Sequence, residues 1–405
     1  MSVTRAIIPT DWIRVGFAMF TIGFGANLFA PMLQVYRVEH AAGEASLTGM
    51  LGIYSVGLIP SLLVFGTFSD QRGRRPVLVP GLAVAVLGSL VLSLGALGWD
   101  WPLFVGRIII GVSVGMGMSA GAAWIKQLSN DKPGSGPRRA TVSVSAGFGL
   151  GPLASGLVAQ FAPLPELIPY LVHIALTAVA LVLVWRVPET QERTTVSRRL
   201  VPHAVFTRRF LFSIVIWAPW VFGVTTTAFA STPGMAHLNF PWVTAFLGFL
   251  ACITMLAGVF IQPTAARIAR SGGRLSLAAV GLLVTLVGLL LSVGASLTGS
   301  LILMSIAAMV LGSAYGIMMV AGLSEAESFA APSELGGLIG IFYSLTYLGF
   351  FVPLVTALVV GVLSKATGMS ELHSYVAVLL FGVVVCLVSV VPVSRAGRAG
   401  QGTVD

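Results

Sequence analysis

Two residues that can carry charge interrupt long apolar stretches of the chain, Arg107 and His173. A buried arginine costs at least ~2.5–3.5 kcal/mol in a membrane, so Arg107 is expected to face a helix-bundle interior or a wet cavity. The alternative is an arginine that snorkels to the interface near Trp101. An imidazole titrates near neutral pH, so His173 is a candidate proton carrier. Its alternative is a hydrogen-bonded structural histidine.

The first apolar stretch carries polar side chains that cannot ionise. Asn27 and Gln34 are seven residues apart and share one face of a helix, with Pro31 between them. We therefore predict that both line a polar surface. Further titratable candidates are Glu325, Glu327 and Glu334, which the sequence places in a solvated loop, so no obvious proton carrier emerges.

Other chemistries lack their usual residues. Cys252 and Cys386 each lie alone in an apolar run, which gives neither a disulfide framework nor metal-ligand spacing. A chain of apolar helical runs offers no strand-to-helix turn for a nucleophile elbow, and the sequence contains no Walker loop. We therefore expect no enzyme activity, no metal, no organic cofactor and no ATP-driven pumping.

Composition places the chain in a membrane. It has 405 residues, of which 56% are hydrophobic and only 9% charged. Twelve apolar runs are long enough to cross a hydrocarbon core of ~30 Å, and each must be helical because backbone groups in lipid need internal partners. The predicted spans are 14–36, 47–66, 77–98, 102–124, 141–161, 168–187, 210–231, 242–263, 275–295, 300–323, 335–362 and 372–392.

Positive residues orient these spans. Twenty of the 23 Lys and Arg residues fall on one side, and only Arg37 and Lys365 fall on the other. The positive-inside rule then places both termini in the cytoplasm. The longest polar stretch lies mid-chain, and it predicts six-helix bundles at 1–187 and 210–405 joined by a cytoplasmic linker at 188–209. A basic loop at 262–274 weakly resembles the loop of the first half at residues 66–75, which holds the equivalent position in chain order.

The loop after the second span has a specific pattern. Residues Gly66 to Arg75 read Gly-Thr-Phe-Ser-Asp-Gln-Arg-Gly-Arg-Arg. Gly66 and Gly73 are expected to allow a tight turn, and Asp70 to cap a helix or pair with an arginine. The pattern resembles the loop between the second and third helices of the major facilitator superfamily, with Gln71 in place of an arginine. The resemblance implies an all-α integral membrane fold of two pseudo-symmetric six-helix bundles, with Asp70 and Arg74 as a cytoplasmic latch and Arg75 as a further residue of the gating motif.

Two more motifs carry the resemblance. Arg107 with Gly111 looks like the family's fourth-helix Arg-x-x-x-Gly, which implies a role in proton transfer or cavity electrostatics. The fifth span resembles the Gly-x-x-x-Gly-Pro-x-x-Gly-Gly signature of the twelve-helix drug/proton antiporters, in which Ser155 replaces a glycine. The residues that match this signature are Gly147, Gly151, Pro152 and Gly156.

Aromatic residues of the second half are candidates to line a substrate cavity, with interfacial aromatics as the alternative. Tyr343, Tyr347 and Phe351 form a predicted helical stripe. With so few charges, the set favours a lipophilic substrate over a polyanion. The candidates are Trp217, Trp220, Tyr315, Tyr343 and Tyr347.

These observations predict a secondary active transporter that works by alternating access and exports small lipophilic compounds against a proton gradient. Uptake of a small metabolite by proton symport or uniport is the alternative, and export without coupling stays open. The expected partners are a small lipophilic substrate and the lipid bilayer, with no nucleic acid and a functional monomer. An arginine-rich, lysine-poor composition suggests a bacterial plasma membrane.

Overall fold

A computed structural model describes residues 8–129, 135–191, 202–207, 210–236, 238–270, 275–329 and 335–398, and every regular element in these ranges is helical. Internal contacts define two compact units. The N-terminal unit comprises Met1–His40 with Ile53–Leu200, and the C-terminal unit comprises Ala41–Gly52 with Val201–Asp405. The domain limits at 188 and 209 stay a prediction, because most of that linker lies outside the described residues.

The first six spans are formed by eight helices. The helices are α1 (Asp11–Asn27), α2 (Phe29–Glu39), α3 (Glu44–Gly52), α4 (Tyr54–Arg72), α5 (Arg75–Ser93), α6 (Trp101–Leu128), α7 (Ser135–Phe161) and α8 (Ile168–Val184). Because Pro31 has no N–H for the Asn27 carbonyl, the first span is interrupted at Leu28. We call the end at Arg72–Arg75 the basic-loop end, and the end at Asp100 the opposite end.

The remaining spans begin with an irregular segment at residues 210–235. It contains two π-helical turns, Leu211–Val215 and Thr227–Ser231, and the second ends two residues before Pro233. Such turns occur frequently at functional sites. The other helices are α9 (Trp220–Thr226), α10 (Thr232–Met235), α11 (Val243–Arg270), α12 (Leu277–Thr298), α13 (Leu301–Phe329), α14 (Leu335–Tyr347), α15 (Val352–Thr367) and α16 (Glu371–Arg398).

The helical segments match the predicted spans. Ten are long and apolar enough to cross a membrane, Ile168–Val184 is a shorter apolar helix, and the segment at 210–235 is the twelfth. The all-α membrane fold is therefore confirmed. Some loop predictions were wrong, because helices run further than the apolar runs: 262–270 belongs to α11, and Glu325 and Glu327 lie on α13. Glu334 lies outside the described residues.

Each unit repeats the same internal packing plan. In the N-terminal unit α4 and α5 pack on α6, and α5 also packs on α8. In the C-terminal unit α11 and α12 pack on α13, and α12 also packs on α16. These helices hold equivalent positions in chain order, so the two halves are similar six-helix bundles.

Glycines make the equivalent contacts possible. A Cβ on Gly111 of α6 would lie 2.1 Å from the Tyr54 carbonyl oxygen, and a Cβ on Gly312 of α13 would lie 2.1 Å from the Thr254 carbonyl oxygen. Both distances are too short for a real side chain, so the two backbones touch directly, as at small-residue helix crossings in membranes.

A third glycine contact joins α1 and α7. A Cβ on Gly147 would lie 2.2 Å from the Phe20 carbonyl oxygen, and one on Gly151 would lie 2.4 Å from that of Phe24. Pro152 and Gly156 are buried on the same helix, and Ser155 donates a 2.8 Å hydrogen bond to the Leu28 carbonyl. The serine that departs from the glycine signature therefore ties α7 to the interruption between α1 and α2.

We predict that Gly147→Ala destabilises the protein, because overpacking at a close contact typically costs about 1–3 kcal/mol. Gly66→Ala is the matched control, since nothing among the described residues lies within 4 Å of a Cβ there. It should be neutral or stabilising by up to ~1 kcal/mol. Thermal unfolding in detergent measures both variants. An unchanged midpoint for Gly147→Ala would contradict the close contact.

Candidate functional site

Arg107 lies in the interior of the N-terminal unit. Its side chain projects from α6 and is fully buried, whereas Trp101 on the same helix is 57% exposed. The guanidinium Nη1 donates a 3.1 Å hydrogen bond to the carbonyl oxygen of Ala26, next to the interruption between α1 and α2. The alternative of a snorkelling arginine is therefore wrong, because the side chain turns into the bundle.

Aromatic rings enclose the guanidinium. Its Cζ lies 4.7 Å from the ring centroid of Phe29 and 4.4 Å from that of Tyr54, which is the range of cation–π attraction. The hydroxyls of Tyr36 and Tyr170 hydrogen-bond to each other, and both tyrosines interact electrostatically with Arg107. We call Phe29, Tyr36, Tyr54 and Tyr170 the aromatic cage. The motif search missed it, because its members come from three separate spans.

The C-terminal unit has the same helix packing with a different residue at the position equivalent to Arg107. Arg107-x-x-x-Gly111-x-x-x-Gly115 on α6 corresponds to Ala308-x-x-x-Gly312-x-x-x-Gly316 on α13. The glycines of both helices make the same kind of backbone contact, yet the second helix carries a buried alanine where the first carries a cation. The arginine is therefore not required by the packing plan.

His173 occupies a separate polar site between α1, α5 and α8. Its Nε2 lies 3.1 Å from the Thr21 carbonyl oxygen, which can only accept, so Nε2 carries the proton. Nδ1 then accepts from the Ser89 hydroxyl at 2.6 Å. The ring stacks on Phe24 and is fully buried. Both ring nitrogens are satisfied by a neutral imidazole, and a role in proton transfer stays a prediction.

The two polar residues that were predicted to share a surface of the first span lie on opposite sides of its interruption at Leu28. Asn27 is buried and its Nδ2 donates a 3.3 Å hydrogen bond to the Phe148 carbonyl oxygen on α7. Gln34 is half-buried on α2, beyond the interruption. Asn27 directly follows Ala26, whose carbonyl oxygen accepts the hydrogen bond from Arg107. Asn27 is therefore a chain neighbour of the residue that binds the buried cation.

The basic loop forms a compact hydrogen-bonded turn. Arg74 and Asp70 make an ion pair at 2.7 Å, and Nη1 of Arg74 also donates to Ser69 at 2.9 Å. Gly73 ends α4 with a φ of 114°, which favours glycine. The expectation of a turn at Gly66 was wrong: α4 continues through it to Arg72, because nothing there breaks the helix.

An acid that the motif search missed completes this loop. The carboxylate of Glu189 accepts hydrogen bonds from the backbone N–H groups of Arg74 at 3.0 Å and Arg75 at 2.8 Å, at the first turn of α5. Helix N-termini have free N–H groups and a partial positive charge, so a carboxylate there is favourable. Arg75 also lies over the ring of Trp185 at 5.3 Å. Glu189 lies in the polar stretch that the sequence predicts to be a linker.

In the C-terminal unit, Phe222 of α9 contacts two of the aromatic residues that the sequence predicts to line a substrate cavity. Tyr347 stacks on it with ring centroids 4.6 Å apart, and Tyr315 lies at 5.3 Å. Trp217 instead packs on Phe342, which also contacts Tyr343. Trp220 is half-buried beside Gly382.

The predicted stripe Tyr343–Tyr347–Phe351 was wrong in its last member. α14 ends at Tyr347, and a 3₁₀ turn at Leu348–Phe351 rotates the following residues. Phe350 therefore joins Phe222, at 5.1 Å. The cause is Pro353, which has no N–H to donate to the Gly349 carbonyl. The Thr226 hydroxyl lies 3.3 Å from that oxygen, within hydrogen-bond distance.

The family of the chain follows from its sequence. A family model described as the Major Facilitator Superfamily matches residues 15–353. The chain therefore belongs to the Major Facilitator Superfamily, and the predicted family is confirmed. Within the described residues, no group of three His, Cys, Asp or Glu side chains is placed to hold a metal ion.

Transport proteins are among the relatives and solved structures that the chain resembles. The chain is 24% identical over 354 residues to the tetracycline resistance protein, class D, of Salmonella ordonez, covering 83% of this chain and 86% of the relative. It is 26% identical over 160 residues to the multi-drug resistance efflux pump PmrA of Streptococcus pneumoniae, covering 37% and 38%. A POT family transporter crystallised with 5-aminolevulinic acid superposes with a TM-score of 0.75 at 12% identity, with 96% of each chain covered, which shows the fold alone.

We predict that Glu189→Ala destabilises the N-terminal unit by about 0.5–2 kcal/mol, as loss of a helix cap typically does. Glu189→Gln keeps an acceptor but loses the charge, so its loss should be smaller. The exposed Glu327→Ala on α13 is the matched control. Thermal unfolding in detergent ranks the stabilities of the three variants. Equal midpoints for Glu189→Ala and Glu327→Ala would exclude a capping role for Glu189.

Proposed function

We propose that this chain exports small lipophilic compounds in exchange for protons, as a multidrug-type secondary transporter working by alternating access. Two lines support the proposal. The curated relatives named above are a tetracycline resistance protein and a multidrug efflux pump. The glycine-proline signature of drug/proton antiporters is present on α7, where Gly147 and Gly151 make close contacts with α1.

The observation that carries the proposal is the buried charge of Arg107. The packing plan is satisfied by alanine at the equivalent position of the C-terminal unit, so a desolvated cation is retained at a cost. Intramembrane charges of this kind are usually functional. A fixed cation acts on a second bound charge: at 8 Å and an effective dielectric of 20, a bound proton is disfavoured by about 2 kcal/mol. Such repulsion biases which conformation binds the proton.

The substrate class is inferred from the surfaces available. Phe222, Tyr315 and Tyr347 form an aromatic cluster in the C-terminal unit, and the buried Met318 and Met319 on α13 add adaptable apolar surface. These side chains suit lipophilic compounds of varied shape. The proton gradient is the proposed energy source, without a bound cofactor or metal, and the lipid bilayer is the working environment of a functional monomer.

The proposed location is a bacterial plasma membrane, with both termini and the basic-loop end on the cytoplasmic side. The opposite end, at Asp100, then faces outward. This orientation rests on the strong excess of Lys and Arg in alternate loops.

We predict that the purified chain in proteoliposomes moves ethidium or tetracycline against an imposed proton flow. Arg107→Ala and Arg107→Lys should each reduce the exchange rate about tenfold or more. Lysine keeps the charge but not the planar stacking on Tyr54 and Phe29, which is worth up to about 2 kcal/mol when desolvated. The exposed Lys365→Ala removes one cation elsewhere and should leave the rate unchanged.

The rate is followed by probe fluorescence and by a pH dye on the other side of the membrane. Probe movement without proton movement would contradict coupling and leave facilitated export. Probe and proton movement in the same direction would establish uptake by symport instead. If Arg107→Lys exchanged probe for protons at the wild-type rate, the guanidinium would have no role in the mechanism.

A further inference from the structure

A second set of charged residues lies at the opposite end of the N-terminal unit, where His40 follows α2. Its Nδ1 is 2.7 Å from an oxygen of Asp100, at the start of α6, and its Nε2 is 2.8 Å from an oxygen of Glu166, in the connection between α7 and α8. One imidazole thus joins three segments that are distant in sequence. We call His40, Asp100 and Glu166 the histidine–carboxylate cluster.

The geometry fixes the number of protons in the cluster. Each short nitrogen–oxygen contact needs one hydrogen, and a neutral imidazole supplies only one for its two nitrogens. An ionised carboxylate supplies none. Both contacts are therefore made only when the cluster holds an additional proton. The imidazole takes it, because its ordinary pKa of about 6.5 makes it a stronger base than a carboxylate at about 4.

The surroundings favour that proton. Burial alone lowers the pKa of His40, but its hydrogen bonds to Glu166 and Asp100 outweigh burial, and the pKa is raised above the ordinary 6.5. Arg37 and Glu39 lie on α2 beside His40, the Tyr36 ring meets His40 edge-on, and Tyr170 and Arg107 lie deeper. A raised pKa means that the cluster's stabilisation is complete below pH ~6.5 and is lost as pH rises through the folded value.

The cluster is open to solvent on one side and contacts the interior on the other. The side chain of Asp100 is 54% exposed, that of Glu166 is 14% exposed and that of His40 only 4% exposed. Inward, the Tyr36 ring lies 5.4 Å from the His40 ring, and its hydroxyl bonds to Tyr170. The charges of Glu166 and of Arg107 each act on the same two tyrosine hydroxyls, so the hydroxyl pair lies within range of both.

We propose that the histidine–carboxylate cluster is the site where the exchanged proton first binds the N-terminal unit, and that Tyr36 and Tyr170 link its charge to Arg107. The inference rests on the proton-coupled exchange proposed above. It assigns a proton-binding role to three residues that match none of the sequence motifs. A hydronium ion of the outer water gives its proton through Asp100 to His40. An O–H bond of hydronium breaks, an N–H bond of the imidazole forms, and water is left.

The first test is a titration of the histidine rings by nuclear magnetic resonance in the full chain in nanodiscs. His40 should keep its proton well above pH 6.5, and Glu166→Gln or Asp100→Asn should shift its midpoint downward. The matched control is His373→Gln, which removes an exposed histidine hydrogen-bonded to Ser370. A His40 that is neutral at pH 6.5 in the wild type would overturn the proton site.

The second test varies only the outer pH in proteoliposomes and follows ethidium export. In the wild type the rate should fall as outer pH rises through the His40 midpoint. His40→Gln should lose that dependence, and His373→Gln should keep it. An unchanged profile in His40→Gln, with a normally folded protein by thermal unfolding, would overturn the loading role.

The two tests separate this inference from the proposed function. If the wild type exchanges no protons for ethidium or tetracycline, the proposed function and the loading role both fail, whatever the titration shows. If exchange occurs but His40 carries no extra proton, the proposed function stands and the cluster does not. A raised midpoint together with a flat His40→Gln profile supports both.

Discussion

A single buried charge sets the main constraint on the N-terminal unit. Removing the Arg107 guanidinium from water is costly, so the surrounding segments must supply replacement contacts. The Ala26 carbonyl supplies a hydrogen-bond acceptor, and the rings of Phe29 and Tyr54 supply polarisable faces. Tyr54 reaches the guanidinium because Gly111, one turn along α6, lets the α4 backbone come into contact. The glycine motif and the arginine are therefore parts of one arrangement.

Comparing the two units separates what packing requires from what it does not. Gly81 and Gly88 of α5 face Met116 and Ile110 of α6, and the corresponding helices of the C-terminal unit repeat this with glycines against Met318 and Leu311. The shared features explain the fold of both bundles. Where the units differ, as at Arg107 and Ala308, the shared packing does not account for the difference, and the proposed function does.

The sequence predicted what depends on local patterns and missed what depends on distant contacts. Twelve spans, the Asp70–Arg74 ion pair and the interior location of Arg107 follow from apolar length, motif spacing and the cost of buried charge. The turn at Gly66 was wrong because a lone glycine does not end a helix. The place of Phe350 was missed because Pro353 imposes a 3₁₀ turn whose effect on side-chain direction depends on Thr226 in another span.

The remaining question is how a proton at the surface could affect a cation in the interior. Without its extra proton the histidine–carboxylate cluster carries two negative charges and attracts Arg107 through the tyrosine pair. With the proton it carries one, and the attraction weakens. Because the intervening Tyr36 and Tyr170 are buried, water screens this change poorly. On the proposed role of the cluster, proton binding weakens the attraction of Arg107 toward the opposite end, and proton loss restores that attraction. The charges alone determine the direction of this effect. The proton itself does not have to reach Arg107.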